Sequence, residues 1–158
     1  MRVLFVCAGN ICRSPMAEFF FRRLAESRPG LDHVEVASAG TIALDGNRPL
    51  SPCVTIMRDE FGVDMSSHRA RRIRQGLEAE LILTMDSMVT HQVDALGVKG
   101  RVRMLGEYAE PAGEIVEDPH GGSDEDYREC AAQIERLVTN LANRLEAEAA
   151  AGAAPSPE

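Results

Sequence analysis

Aromatic residues are scarce in this 158-residue chain, which has no tryptophan, two tyrosines and five phenylalanines, 4% in all. Large rings are therefore in short supply for walling a pocket. Long apolar runs are missing as well. None approaches the ~18 residues that argue for a membrane-spanning helix. The first residues enter a strand pattern directly, without the charged, apolar and small-residue regions of a signal peptide. The expected setting is cytoplasmic, with no membrane partner. Positive charge is also short: 17 Lys and Arg against 25 Asp and Glu leave a net charge of -8. That balance argues against nucleic acid as a general partner. The cysteines Cys7, Cys12, Cys53 and Cys130 lack zinc-finger spacing, and His33, His68, His91 and His120 lack ligand spacing. No metal and no cofactor are expected. Internal repeats and a second domain are absent from the pattern, and a monomer is the default.

What remains is an ordinary globular composition, 44% hydrophobic and 27% charged. The length suits one domain over residues 1–149, with an Ala/Pro/Ser-rich tail at 150–158 expected to be disordered.

Residues 3–15 organise the rest. Val3-Leu4-Phe5-Val6 is a short apolar run that predicts a buried strand, and Ser14-Pro15 predicts a helix start, with Ser14 as its cap. Between them lies a tight loop in which Cys7 and Arg13 are separated by five residues. Such a loop presents backbone N–H groups to an anion, and the helix dipole adds to the pull. Gly9 and Asn10 tolerate left-handed backbone angles, and Arg13 offers a planar fork for two phosphate oxygens. Cys7 would then sit beneath a bound phosphate as a stabilised thiolate. A Cys-x5-Arg spacing alone arises by chance; the preceding strand, the internal Gly-Asn and the following Ser-Pro single it out.

Further along, helical spacing is predicted to residue 27, a second strand at 34–37, a turn at 38–41 and an irregular loop at 42–52. A helix follows at 54–61. The arginine run Arg69, Arg71, Arg72 and Arg74 is expected to be a solvated helix face, with a short helix at 73–78. Strands at 81–84 and 101–105 flank a helix capped by Asp86 or Ser87. Residues 106–122 are expected to be a long irregular loop, and Ser123 with Asp126 resembles a capping box for a long final helix. Strands alternating with helices predict an α/β fold with a four-stranded parallel sheet, whose ligands bind beyond the carboxyl ends of the strands.

A thiolate under a phosphate cradle can attack phosphorus in line, and the leaving group then needs a proton. Asp118 fits the acid role, because Pro119 holds it in an extended backbone within the long loop. The expected intermediate is a cysteinyl-phosphate, hydrolysed by water that the Asp118 carboxylate activates. Ser14 can also donate a hydrogen bond to Cys7. Cys12 either packs or forms a reversible disulfide with an oxidised Cys7.

These residues resemble the low-molecular-weight protein tyrosine phosphatase family, from Cys7-Ala8-Gly9-Asn10-Ile11-Cys12-Arg13-Ser14-Pro15 through Ser38-Ala39-Gly40-Thr41, Ser66-Ser67-His68-Arg69, Leu81-Ile82-Leu83-Thr84-Met85-Asp86 and Asp118-Pro119. The resemblance implies a Rossmann-like three-layer αβα sandwich and a phosphorylated protein substrate. It implies a phosphate-binding loop of Ala8, Gly9, Asn10, Ile11, Cys12 and Ser14, held by Ser38 and His68. Where the family places aromatic pocket walls, this chain has Leu44 and His120, with Ile11 as a third wall. The stretch from Asp118-Pro119-His120-Gly121-Gly122-Ser123 to Tyr127 resembles the protein-arginine phosphatase branch, which carries Thr where Ile11 stands. Ile11 favours phosphotyrosine, and phosphoarginine is the alternative. A thioredoxin-coupled arsenate reductase is a further alternative, although Cys53 and Cys130 do not match its relay positions. A non-catalytic phosphate-binding module is another.

Overall fold

The computed structural model describes residues 1–74 and 77–153. Its four strands are β1 (Arg2–Cys7), β2 (Glu35–Gly40), β3 (Leu81–Thr84) and β4 (Arg101–Met104). They form one parallel sheet in the order β2-β1-β3-β4. The helices are α1 (Arg13–Glu26), α2 (Ser51–Phe61), α3 (Ser87–Leu96), α4 (Leu105–Ala109) and α5 (Asp124–Ala153), with a 3-10 turn at Pro29–Leu31. Among the described residues no helix is long and apolar enough to cross a membrane.

Alternation along the strands explains the layering. Val3, Phe5, Leu81 and Leu83 point to one side, where they pack with Met16, Phe21 and Met57 and with Ile134, Val138 and Leu141 of α5. Leu4, Val6 and Ile82 point to the other, against Val89 and Val93 of α3. The expected three-layer αβα sandwich is therefore the fold. The switch point lies between β1 and β3, where the order reverses, and the loop after β1 opens at the carboxyl edge of the sheet.

Several local expectations give way. The helix expected at 73–78 is not formed by its described residues. Instead Arg72 bridges to Gly40, and Ile73 N–H donates to Gly40 O at 2.9 Å, so the segment runs beside β2. The arginines there bond to carbonyls and to Asp45 rather than forming a helix face. Residues 75 and 76 lie outside the described residues. The strand expected at 34–37 continues through Ser38 and Ala39 to Gly40. The long loop begins later than expected, because α4 occupies its start. The tail is helical through Ala153, since the strong helix formers Ala and Glu fill 146–151 and continue α5 past Leu145; residues 154–158 lie outside the described residues.

Gly40 has a specific reason to lack a side chain. A Cβ there would lie 2.5 Å from Ala8 O and 2.9 Å from Asn10 N. The end of β2 thus supports the loop after β1 at backbone distance.

Candidate active site

Cys7 ends β1 and Arg13 begins α1, so the five residues between them must reverse the chain within one short loop. Asn10 makes the turn, with φ of 56°. Gly9, expected to share that role, has no left-handed angle. Four carbonyls of the loop are held from outside. Cys7 O accepts from Thr41 N–H, Ala8 O from Ile42 N–H, Ile11 O from Leu50 N–H, and Asn10 O faces His68 Nε2 at 2.8 Å. A trans peptide points its C=O and its N–H in opposite directions. The N–H groups of Ala8, Gly9, Ile11 and Cys12 are therefore turned away from these anchors. They face the cavity that the same residues line, about 260 Å³ in volume.

Asn10 is the hub of the support. Its side chain donates to Ser14 Oγ at 2.8 Å and Ser38 Oγ at 2.9 Å, and its Oδ1 accepts from Arg71 N–H at 2.9 Å. Ser38 in turn donates to Glu18 Oε1 at 2.6 Å. Asn10, Ser14, Ser38 and His68 are all buried, behind the cavity rather than in it. Burial pushes the His68 imidazole pKa down, while the Asn10 carbonyl and Glu18 pull the other way with less effect.

Ser14 departs from its expected role as a cap. The helix starts at Arg13 with Cys12 in the cap position, and no side chain caps it. The Ser14 hydroxyl lies 2.9 Å from Cys7 Sγ instead. Cys7 Sγ also accepts from Asn10 N–H at 3.3 Å. Two polar hydrogens can therefore face one sulfur, an arrangement suited to a thiolate.

Arg13 is 3% exposed and is held in place through one end of its guanidinium. Its Nη1 donates to Asp86 Oδ2 at 2.8 Å and to Val116 O at 2.9 Å. Burial works against its charge, but the hydrogen bond to Asp86 and the charges of Cys7, Asp118 and Asp86 hold its pKa above the usual arginine range. Asp86 is the residue that sequence reasoning missed. It was expected only as a helix cap, which it is, accepting from Val89 N–H at 2.8 Å through its other oxygen. Its position immediately before α3, at the same sheet edge as Cys7, was the available signal.

Asp118 arrives from the opposite wall. Val116 is pinned by its N–H to Met85 O at 2.9 Å and by its carbonyl to Arg13. Two residues on, Asp118 Oδ2 stands 3.8 Å from Arg13 Nη2 with its side chain 48% exposed. Oδ1 accepts from His120 N–H at 3.0 Å. The return of the loop is held by Tyr127 Oη, which accepts from Gly121 N–H at 3.3 Å, and by the reciprocal Ser123–Asp126 capping box. Gly106 permits the loop's approach, since a Cβ there would lie 1.8 Å from Glu114 O.

The remaining wall is largely aliphatic. Ile11, Leu44 and His120 line the cavity as expected, and Ile42, Ala43 and Leu50 join them. Ile42 and Leu44 are both exposed, forming an apolar lip. Cys12 also lines the cavity, while its sulfur accepts a hydrogen bond from Cys53 at 2.8 Å.

A sulfur at the floor of an anion cradle, a fixed guanidinium and a carboxylate across the opening can together transfer a phosphoryl group. Known proteins agree with that chemistry. The family described as low molecular weight phosphotyrosine protein phosphatase matches residues 2–151. A low molecular weight protein-tyrosine-phosphatase, PtpB of Staphylococcus haemolyticus, is 35% identical over 142 residues, covering 89% of this chain and 97% of that protein. The crystal structure of a low molecular weight protein tyrosine phosphatase from T. tengcongensis superposes with a TM-score of 0.83 at 34% identity, over 91% of this chain and 99% of that one. The YwlE arginine phosphatase, as a C7S mutant with a phosphorylated active-site serine, superposes with a TM-score of 0.83 at 33% identity, over 92% and 95%.

Proposed function

The chain belongs to the low molecular weight phosphotyrosine protein phosphatase family, and from that premise we propose that it hydrolyses phosphotyrosine in proteins with Cys7 as nucleophile. The observation that carries the reading is the meeting of three groups at one cavity: Cys7 Sγ at its floor, Arg13 at its side and Asp118 at its mouth. The phosphoryl oxygens lie against the loop N–H groups and Arg13, which stabilise the equatorial charge as the bond to sulfur forms. Asp118 gives its proton to the departing phenolic oxygen. Water then attacks the cysteinyl-phosphate, Asp118 takes the water's proton, and phosphate leaves. Asp86 positions Arg13, and Asn10, Ser14, Ser38 and His68 fix the cradle. The phosphorylated serine of the related YwlE mutant supports a phosphoenzyme at the nucleophile's position.

Ile11 favours the phenolic substrate, since it offers apolar contact to a ring and no hydroxyl to a guanidinium. Ile42 and Leu44 extend that contact outward. The second reading, phosphoarginine, is favoured by the likeness to the YwlE arginine phosphatase. Comparing kcat/KM on phosphotyrosine and phosphoarginine peptides, with Cys7→Ser as blank, decides between them. We expect phosphotyrosine to be preferred. A preference for phosphoarginine hands the specificity to the Asp118–Ser123 loop, and turnover of neither above the blank removes the phosphatase reading.

A further inference from the structure

The thiols of three of the four cysteines have no part in that chemistry, yet they meet at the phosphate loop and the helices behind it. Cys12 precedes α1, Cys53 lies in the first turn of α2, and Cys130 lies on α5. Cys53 Sγ donates to Cys12 Sγ at 2.8 Å. Cys130 lies beside Cys12 and reaches Glu117 O, at 3.9 Å, in the loop that carries Asp118. All are buried free thiols. To reach the ~2.05 Å of a disulfide, the sulfurs of Cys12 and Cys53 need to close by only about 0.8 Å from their 2.8 Å contact. Cys12 also shares a cavity with Cys7. It therefore stands between the nucleophile on one side and Cys53 on the other.

We propose that Cys53 is a second resolving thiol, which draws an oxidation begun at Cys7 through Cys12 into a Cys12–Cys53 disulfide and returns Cys7 as a thiolate. The proposal rests on Cys7 being the pocket nucleophile. The oxidant is a peroxide. The Cys7 thiolate attacks a peroxide oxygen, forming the sulfenic acid and releasing hydroxide. Cys12 then displaces the sulfenic oxygen, giving a Cys7–Cys12 disulfide and water. Cys53 attacks Cys12 Sγ, so the Cys12–Cys53 bond forms and the Cys7–Cys12 bond breaks. Cys7 leaves as thiolate, into the hydrogen bonds from Asn10 N–H and Ser14, and the Cys53 proton neutralises the hydroxide. In sum, one peroxide and two thiols give one disulfide and two waters.

The electrostatics of the cluster bear on the point of entry. The Cys130 hydrogen bond draws the Cys12 pKa down, but the Cys53 hydrogen bond and burial carry it well above the usual thiol range. The hydrogen bond to Cys12 and burial push Cys130 up as well. Peroxide reacts with thiolates, so these two thiols are poor points of entry, whereas Cys7 at the cavity floor has Asn10 N–H and the Ser14 hydroxyl against its sulfur.

The test treats the full chain with one equivalent of hydrogen peroxide without reductant, alkylates free thiols, and maps disulfides by peptide mass spectrometry alongside p-nitrophenyl phosphate turnover. Wild type should end with Cys12 joined to Cys53, Cys7 alkylated and most turnover kept. Cys53→Ser, fully active before peroxide, should stop at Cys7–Cys12 and keep about tenfold less turnover until dithiothreitol is added. Cys53→Ala repeats the test should the serine disturb the core. An active wild type that ends with Cys7–Cys12, or with Cys7 as a sulfinic acid, overturns the relay. A wild type without turnover before peroxide fails the phosphatase reading instead, while the disulfide map still reads the relay.

Discussion

The phosphate loop and the Asp118 loop face each other across one cavity and are built on opposite plans. In residues 7–14 the carbonyls are anchored, the supporting side chains are buried, and Asn10 alone spends its amide, both ends of its carboxamide and its carbonyl on partners. The opposite loop is held on either side of Asp118, through Ile115 and Val116 before it and the Tyr127 and Ser123 return after it, and leaves Asp118 half exposed between them. The difference follows from the work. Donors that stabilise transition-state charge act best when fixed beforehand. A carboxyl that serves first a leaving group and then water has to be reachable from the opening.

Mutations can break that comparison. Arg13→Ala removes a fixed donor, and kcat/KM should fall by about 10³–10⁵ for every substrate, as when an arginine is lost from phosphoryl transfer. It also strips Asp86 and Val116 O of their partner, so the melting temperature should drop with it. Asp118→Asn should instead discriminate. Substrates with poor leaving groups should slow by about 10²–10⁴, those with good leaving groups far less, and the melting temperature should hold. Equal slowing of both classes would take Asp118 out of the acid role and erase the contrast between the loops.

The smallest effect belongs to the support beneath the cradle. The folded His68 pKa lies below the ordinary 6.5 because burial disfavours the charged ring. The unfolded chain therefore binds more protons as pH falls below 6.5, and this stability is full above that value and declines as pH drops toward the folded pKa. Melting temperatures from pH 7.5 to 5 should show this loss in wild type and a shallower one in His68→Gln, whose amide can still donate to Asn10 O. Parallel curves would mean that other groups set the acid sensitivity. The lowered carboxylates Asp45, Asp59, Asp64 and Glu114 titrate below their ordinary values of 3.8 to 4.5, outside this window.

The sheet and the cradle were legible because both are written in neighbouring residues. Strand β1, the turn at Asn10 and the helix after Arg13 occupy one continuous stretch, and the alternation of Leu4 and Val6 with Val3 and Phe5 announces a sheet covered on both faces. What escaped depends on distant partners. Ser14 looks like a cap because serine commonly is one, but α1 begins one residue earlier, and of the two roles open to Ser14 the fold keeps the one toward Cys7 Sγ. Asp86 looks like a cap and is one, but its second oxygen serves an arginine 73 positions away. The run 69–74 has helix-forming arginines, yet bonds to Gly40, Ser38 and Asp45 hold it straight. Cys53 and Cys130 carry no spacing signal, since their meeting with Cys12 is made by the packing of α2 and α5 against α1.

The anchoring of Asn10 also orders the birth of the site. Its partners Ser38, His68 and Arg71 lie 28, 58 and 61 positions ahead in the chain. A chain emerging from the ribosome can build β1 and α1 early, but the cradle between them closes only after β2 has paired and the segment through Arg71 has crossed behind it. Contacts this distant carry their loop-closure entropy before they give any return. The nucleophile therefore has no complete anion cradle until the segment through Arg71 is in place, and shorter, half-finished chains carry the cysteine without the means to use it.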